Sequence, residues 1–318
     1  MIILTEAVDP ATASQAELAT ATAIAQLLGF PVYPLAADDP LVVNDNYHDP
    51  VVGAIAHIPP QPTPTPGVWL GSIPAPERYQ AVYAAAAAKN IYLLNTPAQH
   101  LAAQEFDRAY PYIQDLTPPS VIITQVDQCE TLPADFGWPV FVKGTVQSRK
   151  DRGWKACVAE NPQELRSLVE QLLKPLYPWS RGRVIVRQIV PLRHTRTAAN
   201  GFPLGREFRV VLYQNQPLSY GYYWDGDDPG KFLSVPEEEG LLERAIATAS
   251  RLSTPFIAID LGQLIDGSWT VIETGDPQFA PLACLPMIQF WQELSRQVGS
   301  STPKDTGSLK DSRCLAFN

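Results

Sequence analysis

The stretch FIAIDLGQLIDGSWTVIETGDPQFAPL, residues 256–282, constrains the chain more than any other. Two apolar runs flank Asp266-Gly267, a dipeptide that favours a tight hairpin turn. Each run carries a carboxylate where an apolar side chain would be ordinary: Asp260 within the first, Glu273 at the end of the second. Carboxylates brought together in an apolar sheet repel each other and persist only beside a cation. Oxygen ligands used a few at a time and completed by phosphate oxygens are the usual way to hold Mg²⁺. Asp260 and Glu273 are therefore expected to share one face and one ion, with Asp276 and Gln278 following.

Three earlier patches carry the opposite charge. PVFVKGTVQSRKDRG, residues 139–153, puts Lys143 at the end of an apolar strand, where burial is costly unless an anion meets it. Beyond Gly144, the residues Thr145, Ser148, Lys150, Arg152 and Gly153 form a donor-rich loop with few apolar anchors. Such a loop can close over phosphates, although it lacks the Walker A spacing and by itself equally describes a solvated basic hairpin. RVIVRQIVPL, residues 183–192, is a strand running into a loop. Its backbone groups, with Ile189 and Val190, suit a purine ring as well as an ordinary core. In GREFRVVLY, Glu207 and Arg209 lie two apart and share one face of a strand, opposite Val210 and Leu212. This pair is either the solvent face of a hairpin or, with Arg187, Arg193, His194, Arg196 and Arg206 near it in sequence, a region of donors for phosphate or carboxylate.

The 318 residues, 45% of them hydrophobic, suffice for two domains with a substantial core. A net charge of -9 argues against a general nucleic-acid binder, while a basic cluster in a cleft can still hold a small polyanion. Cys129, Cys157, Cys284 and Cys314 are scattered without C-x-x-C spacing, which fits a reduced, cytoplasmic setting. MIILTEAVDP lacks the pattern of a signal peptide, and no run is long and apolar enough for a membrane span.

Residues 1–117 alternate strands and helices: a strand at Ile2 to Leu4, a helix over ASQAELATATAIAQLLGF, and a strand over residues 51–58. A proline-rich surface loop over residues 59–67, a helix over PERYQAVYAAAAAKN and a strand over IYLLN follow. This reads as a small α/β domain with a parallel sheet, and no G-x-G-x-x-G follows its first strand. Thr117-Pro118-Pro119 marks a junction to a strand-rich domain over residues 118–298. That domain has hairpin turns at Gln214-Asn215 and Asp266-Gly267, and one of its helices is capped by Asn161 with Pro162 behind it. The polar residues 299–318 are expected to be a disordered tail. The fold class is α/β (α+β).

In their order (strand, Lys and glycine loop; hinge strand; Glu-x-Arg; Asp, hairpin, Glu) these patches resemble the ATP-grasp superfamily over residues 118–292. The chain looks most like the divergent R-two-K clade, which couples an ATP-grasp fold to a short N-terminal α/β domain. The resemblance implies ATP and Mg²⁺ as cofactors. Lys143 would hold the α- and β-phosphates under a lid that begins at Gly144 and carries Lys150. Arg187, Gln188, Ile189 and Val190 would form the adenine hinge, and Glu207 and Arg209 would serve the nucleotide. Lys143 and Arg209 would be catalytic, and Asp260, Glu273 and Asp276 would bind the metal. The implied activity is a carboxylate–amine or peptide ligase working through an acyl phosphate. Its partners would be small-molecule, peptide or protein substrates, with no membrane. Two departures stand out. Many ATP-grasp ligases have an arginine where this chain has Ala258, and most have E-x-N where it reads Glu273-Thr274-Gly275. The missing arginine points toward the alternative, a nucleotide-binding assembly factor resembling the cell-division-cycle ATP-grasp proteins; the acidic pair points toward the ligase.

Overall fold

The computed structural model describes residues 1–6, 13–35, 55–174, 179–282 and 284–300. The first sheet is parallel throughout, in the order β2-β1-β3-β4, built from β1 (Ile2–Glu6), β2 (Val32–Leu35), β3 (Thr65–Leu70) and β4 (Ile91–Leu93). Helices α1 (Ala13–Leu27) and α2 (Pro76–Ala87) connect and cover it. Of the strand expected over residues 51–58, the described residues 55–58 form a turn and no strand. Residues 51–54 lie outside the described part, and Ile55 and Ile58 are buried from a turn closed by Ile58 N–H to the Ile55 carbonyl (3.0 Å). The sheet position goes instead to β3, which starts inside the expected proline-rich loop. Pro34 is tolerated in β2 because that strand is an edge.

Two antiparallel sheets follow the short helices α3 (Pro97–Gln104) and α4 (Phe106–Ile113). One has the order β5-β8-β6-β7, from β5 (Ser120–Ile123), β6 (Val140–Gly144), β7 (Val158–Ala159) and β8 (Val184–Gln188). Helix α5 (Pro162–Leu172) packs on it through Leu165, Leu168, Val169 and Leu172, with the expected Asn161 cap accepting from Glu164 N–H. A two-stranded hairpin joins β9 (His194–Thr197) to β10 (Pro203–Gly205). The last sheet has the order β12-β11-β13-β14, from β11 (Glu207–Tyr213), β12 (Gln216–Tyr222), β13 (Phe256–Gln263) and β14 (Trp269–Gly275). Gln214 and Asn215 both adopt positive φ (48° and 63°), as a tight hairpin turn requires. Helix α6 (Val235–Leu252) precedes β13, and α7 (Met287–Ser300) closes the described chain. Of the expected tail, residues 301–318 lie outside the described part. Among the described residues, no helix is long and apolar enough to cross a membrane.

The last sheet is buried on both faces. Val210, Leu212, Ile257, Ile259, Leu261 and Val271 pack against α4 and α6. On the other face Val211, Tyr213, Phe256 and Ala258 pack against α1, α7 and the first sheet. Strand alternation puts Glu207 and Arg209 on the face of Val211, and Asp260 on the face of Ala258. That face is thus apolar at one end and charged at the other, where its helical cover stops.

Gly221 of β12 shows how tightly this cover is set, because a Cβ there would run into the Cys284 carbonyl. Overpacking of backbone has no cheap relief, so Gly221→Ala should lower stability by about 1–3 kcal/mol or more. Denaturant unfolding monitored by circular dichroism would measure this; an unchanged midpoint would contradict the contact.

Candidate functional site

Lys143 is the last residue but one of β6, opposite Ile185 of β8, and is 3% exposed. Its ammonium forms an ion pair with Glu273 from the last sheet and sits 5.8 Å above the Phe106 ring. Burial pushes the lysine below its usual pKa, with Glu273 working in the opposite direction. Burial alone would raise the Glu273 carboxyl. Lys143 beside it, with Lys150 and Arg187, more than offsets this and holds it below the carboxylate range.

A β-bulge makes this meeting possible. From the Asp266-Gly267 turn, Leu261 pairs with Val271, and the next pair would be Asp260 with Ile272. The register instead shifts by one residue, and Asp260 lies opposite Glu273. Without that extra residue Glu273 would share the face of Val271, inside the apolar core; the bulge re-aims it to the charged face.

Asp260 is held in a two-pronged pair with Arg209, Nε and Nη2 each donating over 2.8 Å. Arg209 Nη1 donates to the Pro281 carbonyl (2.6 Å), and the Tyr223 ring lies 5.0 Å from the guanidinium. Burial opposes the charge of Arg209, but Asp260 more than restores it and its pKa is raised. The Tyr223 phenol is pushed up to about 12, by burial and then by Asp260. Glu207 is 3% exposed, and burial raises its pKa. Its Oε2 has no hydrogen-bond partner, the Lys150 ammonium standing off at 3.6 Å.

These side chains line two adjoining cavities. The first is narrow, about 100 Å³, and largely apolar, walled by Phe141, Ile189, Val190 and Ile272, with Lys143, Gln188 and Glu207 at its polar side. The second, about 350 Å³, contains Arg209, Tyr223, Asp260 and Thr274, and Lys150 and Glu273 line both. A third cavity of about 290 Å³ shares Ile73, Gln147, Phe279, Ala280 and Pro281 with the second. Its charged side chains among the described residues are Glu6 and Glu17. Glu17 is pushed up by burial and by Asp225.

Most of the expected residues thus come together, and two do not. Gly144 is needed for packing: a Cβ there would meet the Trp179 carbonyl at 2.5 Å. Asp276 is drawn away from the acidic pair. It is 0% exposed, with Oδ2 against His100 Nδ1 (3.0 Å) and Gln278 Nε2 (3.1 Å) and Oδ1 accepting from Gln278 N–H. Arg187 is largely structural: Nε donates to Ser120 Oγ (3.2 Å), Nη1 to the Ile272 carbonyl (2.6 Å), and Nη2 has no partner. Burial pulls this guanidinium down to about 10. The loop expected to act as a lid is better anchored than its sequence suggests. Thr145, Val146 and Arg149 are buried, and Arg149 donates to Gln171 of α5 (3.1 Å).

Among the described residues no group of three or more acidic, His or Cys side chains is arranged to hold a metal. Asp260 and Glu273, opposite each other in one cavity, nonetheless fit the hard, oxygen-preferring Mg²⁺ as a pair completed by phosphate oxygens. Across both cavities Lys143, Lys150, Arg187 and Arg209 face Asp151, Glu207, Asp260 and Glu273, so the lining is close to neutral. Such a lining suits an anion that brings its own divalent ion.

Residues 135–294 match the family described as an ATP-grasp domain of the R-two-K clade, family 3. No curated protein matches the sequence. Among solved structures, the chain is similar to the L-amino acid ligase from Bacillus licheniformis, at 15% identity and a TM-score of 0.56 over 86% of this chain and 66% of that one. The chain thus spans just under two thirds of that ligase. The ATP complex of D-alanine--D-alanine ligase from Bacillus anthracis gives 11% identity and a TM-score of 0.60, over 93% and 97%. The ATP-grasp ligase PsnB, complexed with precursor peptide PsnA2 and AMPPNP, gives 12% and 0.56, over 93% and 96%. At these identities the likeness is one of fold.

The two glutamates of the site should titrate with opposite signs. Glu273 has a folded-state pKa below its ordinary 4.5, so its contribution to stability is present above that pH and is lost as pH falls through the lower value. Glu207 has a raised pKa, so its ionisation costs stability as pH rises past 4.5. Melting of the ligand-free protein at pH 7 should show Glu273→Gln lowering Tm and Glu207→Gln raising it, both differences shrinking toward pH 4. Shifts of the same sign at pH 7 would contradict this electrostatic arrangement.

Proposed function

The chain belongs to family 3 of the R-two-K clade of ATP-grasp domains, and on that premise we propose that it is an ATP-dependent ligase joining a carboxylate to an amine. The observation that carries the reading is the convergence of Lys143, Lys150 and Arg209 with Asp260, Glu273 and Glu207 on two adjoining cavities, one largely apolar and one more polar.

The apolar cavity suits the adenine ring, with Gln188, Ile189 and Val190 at its hinge side. Oε2 of Glu207 faces the Lys150 ammonium at 3.6 Å and accepts no hydrogen bond, so it is free to take one from a ribose hydroxyl. Lys143 and Lys150 neutralise phosphate oxygens, and Arg209 faces the cavity where the transferred phosphoryl group would sit. Asp260 and Glu273 would hold Mg²⁺, which would supply positive charge to the phosphates during transfer. A substrate carboxylate attacks the γ-phosphorus, ADP leaves, and an amine displaces phosphate from the acyl phosphate to form an amide or peptide bond. The lid, from Gly144 through Lys150, keeps water from that intermediate.

Arg209 also bears on the missing arginine. Ala258 pairs with Val211, but two residues along Arg209 of β11 lies opposite Asp260 and grips it. The neighbouring strand thus supplies a guanidinium to the acidic pair. This weakens the argument that the missing arginine makes for the assembly-factor alternative. The third cavity, with Glu6 and Glu17 and no Lys or Arg among its described lining, suits the ammonium of the amine substrate.

ADP release should require Mg²⁺, a carboxylate and an amine together. Glu273→Gln should abolish it while the protein stays folded. Lys143→Ala should weaken AMPPNP binding at least about tenfold, since it leaves Glu273 and the phosphates without their shared counter-charge. Calorimetry and an amine-panel ADP assay measure both; full AMPPNP affinity in Lys143→Ala would remove the nucleotide site from this cleft.

A further inference from the structure

The lid and the β9–β10 hairpin are 50 residues apart in sequence and tied together in space. Asn200, at the hairpin tip, donates from Nδ2 to the Lys150 carbonyl (2.9 Å) and the Asp151 carbonyl (3.0 Å). Its Oδ1 accepts from Phe202 N–H (3.1 Å), which fixes the amide's orientation. Gly153 lies against the Asn200 carbonyl so closely that a Cβ would meet it at 2.7 Å. Just beyond, Trp154 of the lid segment contacts the Phe202 ring, centroids 5.8 Å apart.

The side chain of Lys150 is gripped as well as its backbone. Its ammonium lies 5.3 Å from the Trp224 ring, 5.7 Å from Tyr223 and 5.9 Å from Phe202, all within cation–π range. Glu207 closes the fourth side at 3.6 Å, and Trp224 is itself pinned by Nε1 donating to the Gly205 carbonyl (2.9 Å). A free lysine side chain is among the most mobile, and ordering it on binding weakens affinity. Here the ordering is in place beforehand, at the boundary of both cavities.

We propose that the β9–β10 hairpin is a positioning element: its Asn200 clasps the lid backbone and its Phe202, with Tyr223 and Trp224 from just past the end of β12, cages the ammonium, so that Lys150 is set for the nucleotide phosphates before nucleotide arrives. The role of Lys150 toward phosphate rests on the ligase reading above. The clasp does not, because it is a property of the ligand-free chain. Asn200 acts through Lys150 and touches no substrate.

A double-mutant cycle in the full-length protein tests it. Asn200→Ala should weaken AMPPNP binding by about two- to tenfold, the scale of re-ordering one long side chain. In a Lys150→Met background the same substitution should cost nothing further, because the residue it positions is gone. Asn200→Asp keeps the bond from Phe202 N–H, loses both donated bonds to the lid, and should behave like Asn200→Ala. Without nucleotide, amide exchange over residues 150–153 should quicken in both Asn200 variants while residues 140–144 are unchanged. Additive losses in the cycle, or wild-type exchange at 150–153 already as fast as in the variants, would overturn the proposal. If wild-type protein binds no AMPPNP, the nucleotide reading fails, and the exchange comparison still decides the clasp.

Discussion

Lys143 lies near the end of a strand of one sheet, and its ammonium rests on Glu273 of another, with almost no water at the lysine. Taking a charge fully out of water alone would cost several kcal/mol, so each side chain, the lysine above all, is stabilised here by its partner. The pair ties the two sheets together across the cleft whose cavities both charges line. Everything else in the cleft is arranged around it: Arg187 bridges β8 to the β14 backbone beside it, and Lys150 adds its field to Glu273 from the lid. The Ile272 bulge is the backbone's contribution, turning Glu273 out of the core and toward the lysine.

The last sheet divides its work along its length. On one face the strands are mostly apolar and pack against α4 and α6, with Thr274 and Gln263 as polar members. On the other, the apolar residues Val211, Tyr213, Phe256 and Ala258 seat α1 and α7, and the charges Glu207, Arg209 and Asp260 continue the same alternation past that cover. The site's rigidity is thus borrowed from the core. Asn95 adds to it, bonding both the N–H and the carbonyl of Phe256 at the far end of β13.

Much of this was readable in the residues. VFVKG, EFRVVLY and FIAID announce strands by their branched and aromatic content, and Gln214-Asn215 and Asp266-Gly267 announce the turns that join them. The ion pairs were not readable, because a partner is chosen by register and by a second sheet, not by spacing. Plain alternation from the Asp266-Gly267 turn would have put Asp260 and Glu273 on opposite faces; only the bulge brings them together. Asp276 misled for a related reason. Its neighbours in sequence suggested a ligand, while its partner in space is His100, 176 residues away. Pro34 concealed a strand that edge position permits, and TAANGFPLG, with its Asn-Gly turn signal, held the lid's clasp in a stretch that had no assigned role.

The charges of the cleft are engaged with one another at rest: Lys143 with Glu273, Arg209 with Asp260, Lys150 with Glu207. Paired so closely, they present bulk solvent with dipoles and little net field, and what escapes dies away within a Debye length. A polyphosphate drifting past is drawn in only weakly from afar, unlike a ligand approaching an open basic groove. On the ligase reading proposed above, entry would be an exchange of partners, phosphate oxygens displacing carboxylates one contact at a time. Discrimination in such a cleft is exercised at touching range, by shape and by how well each displaced partner is rehoused.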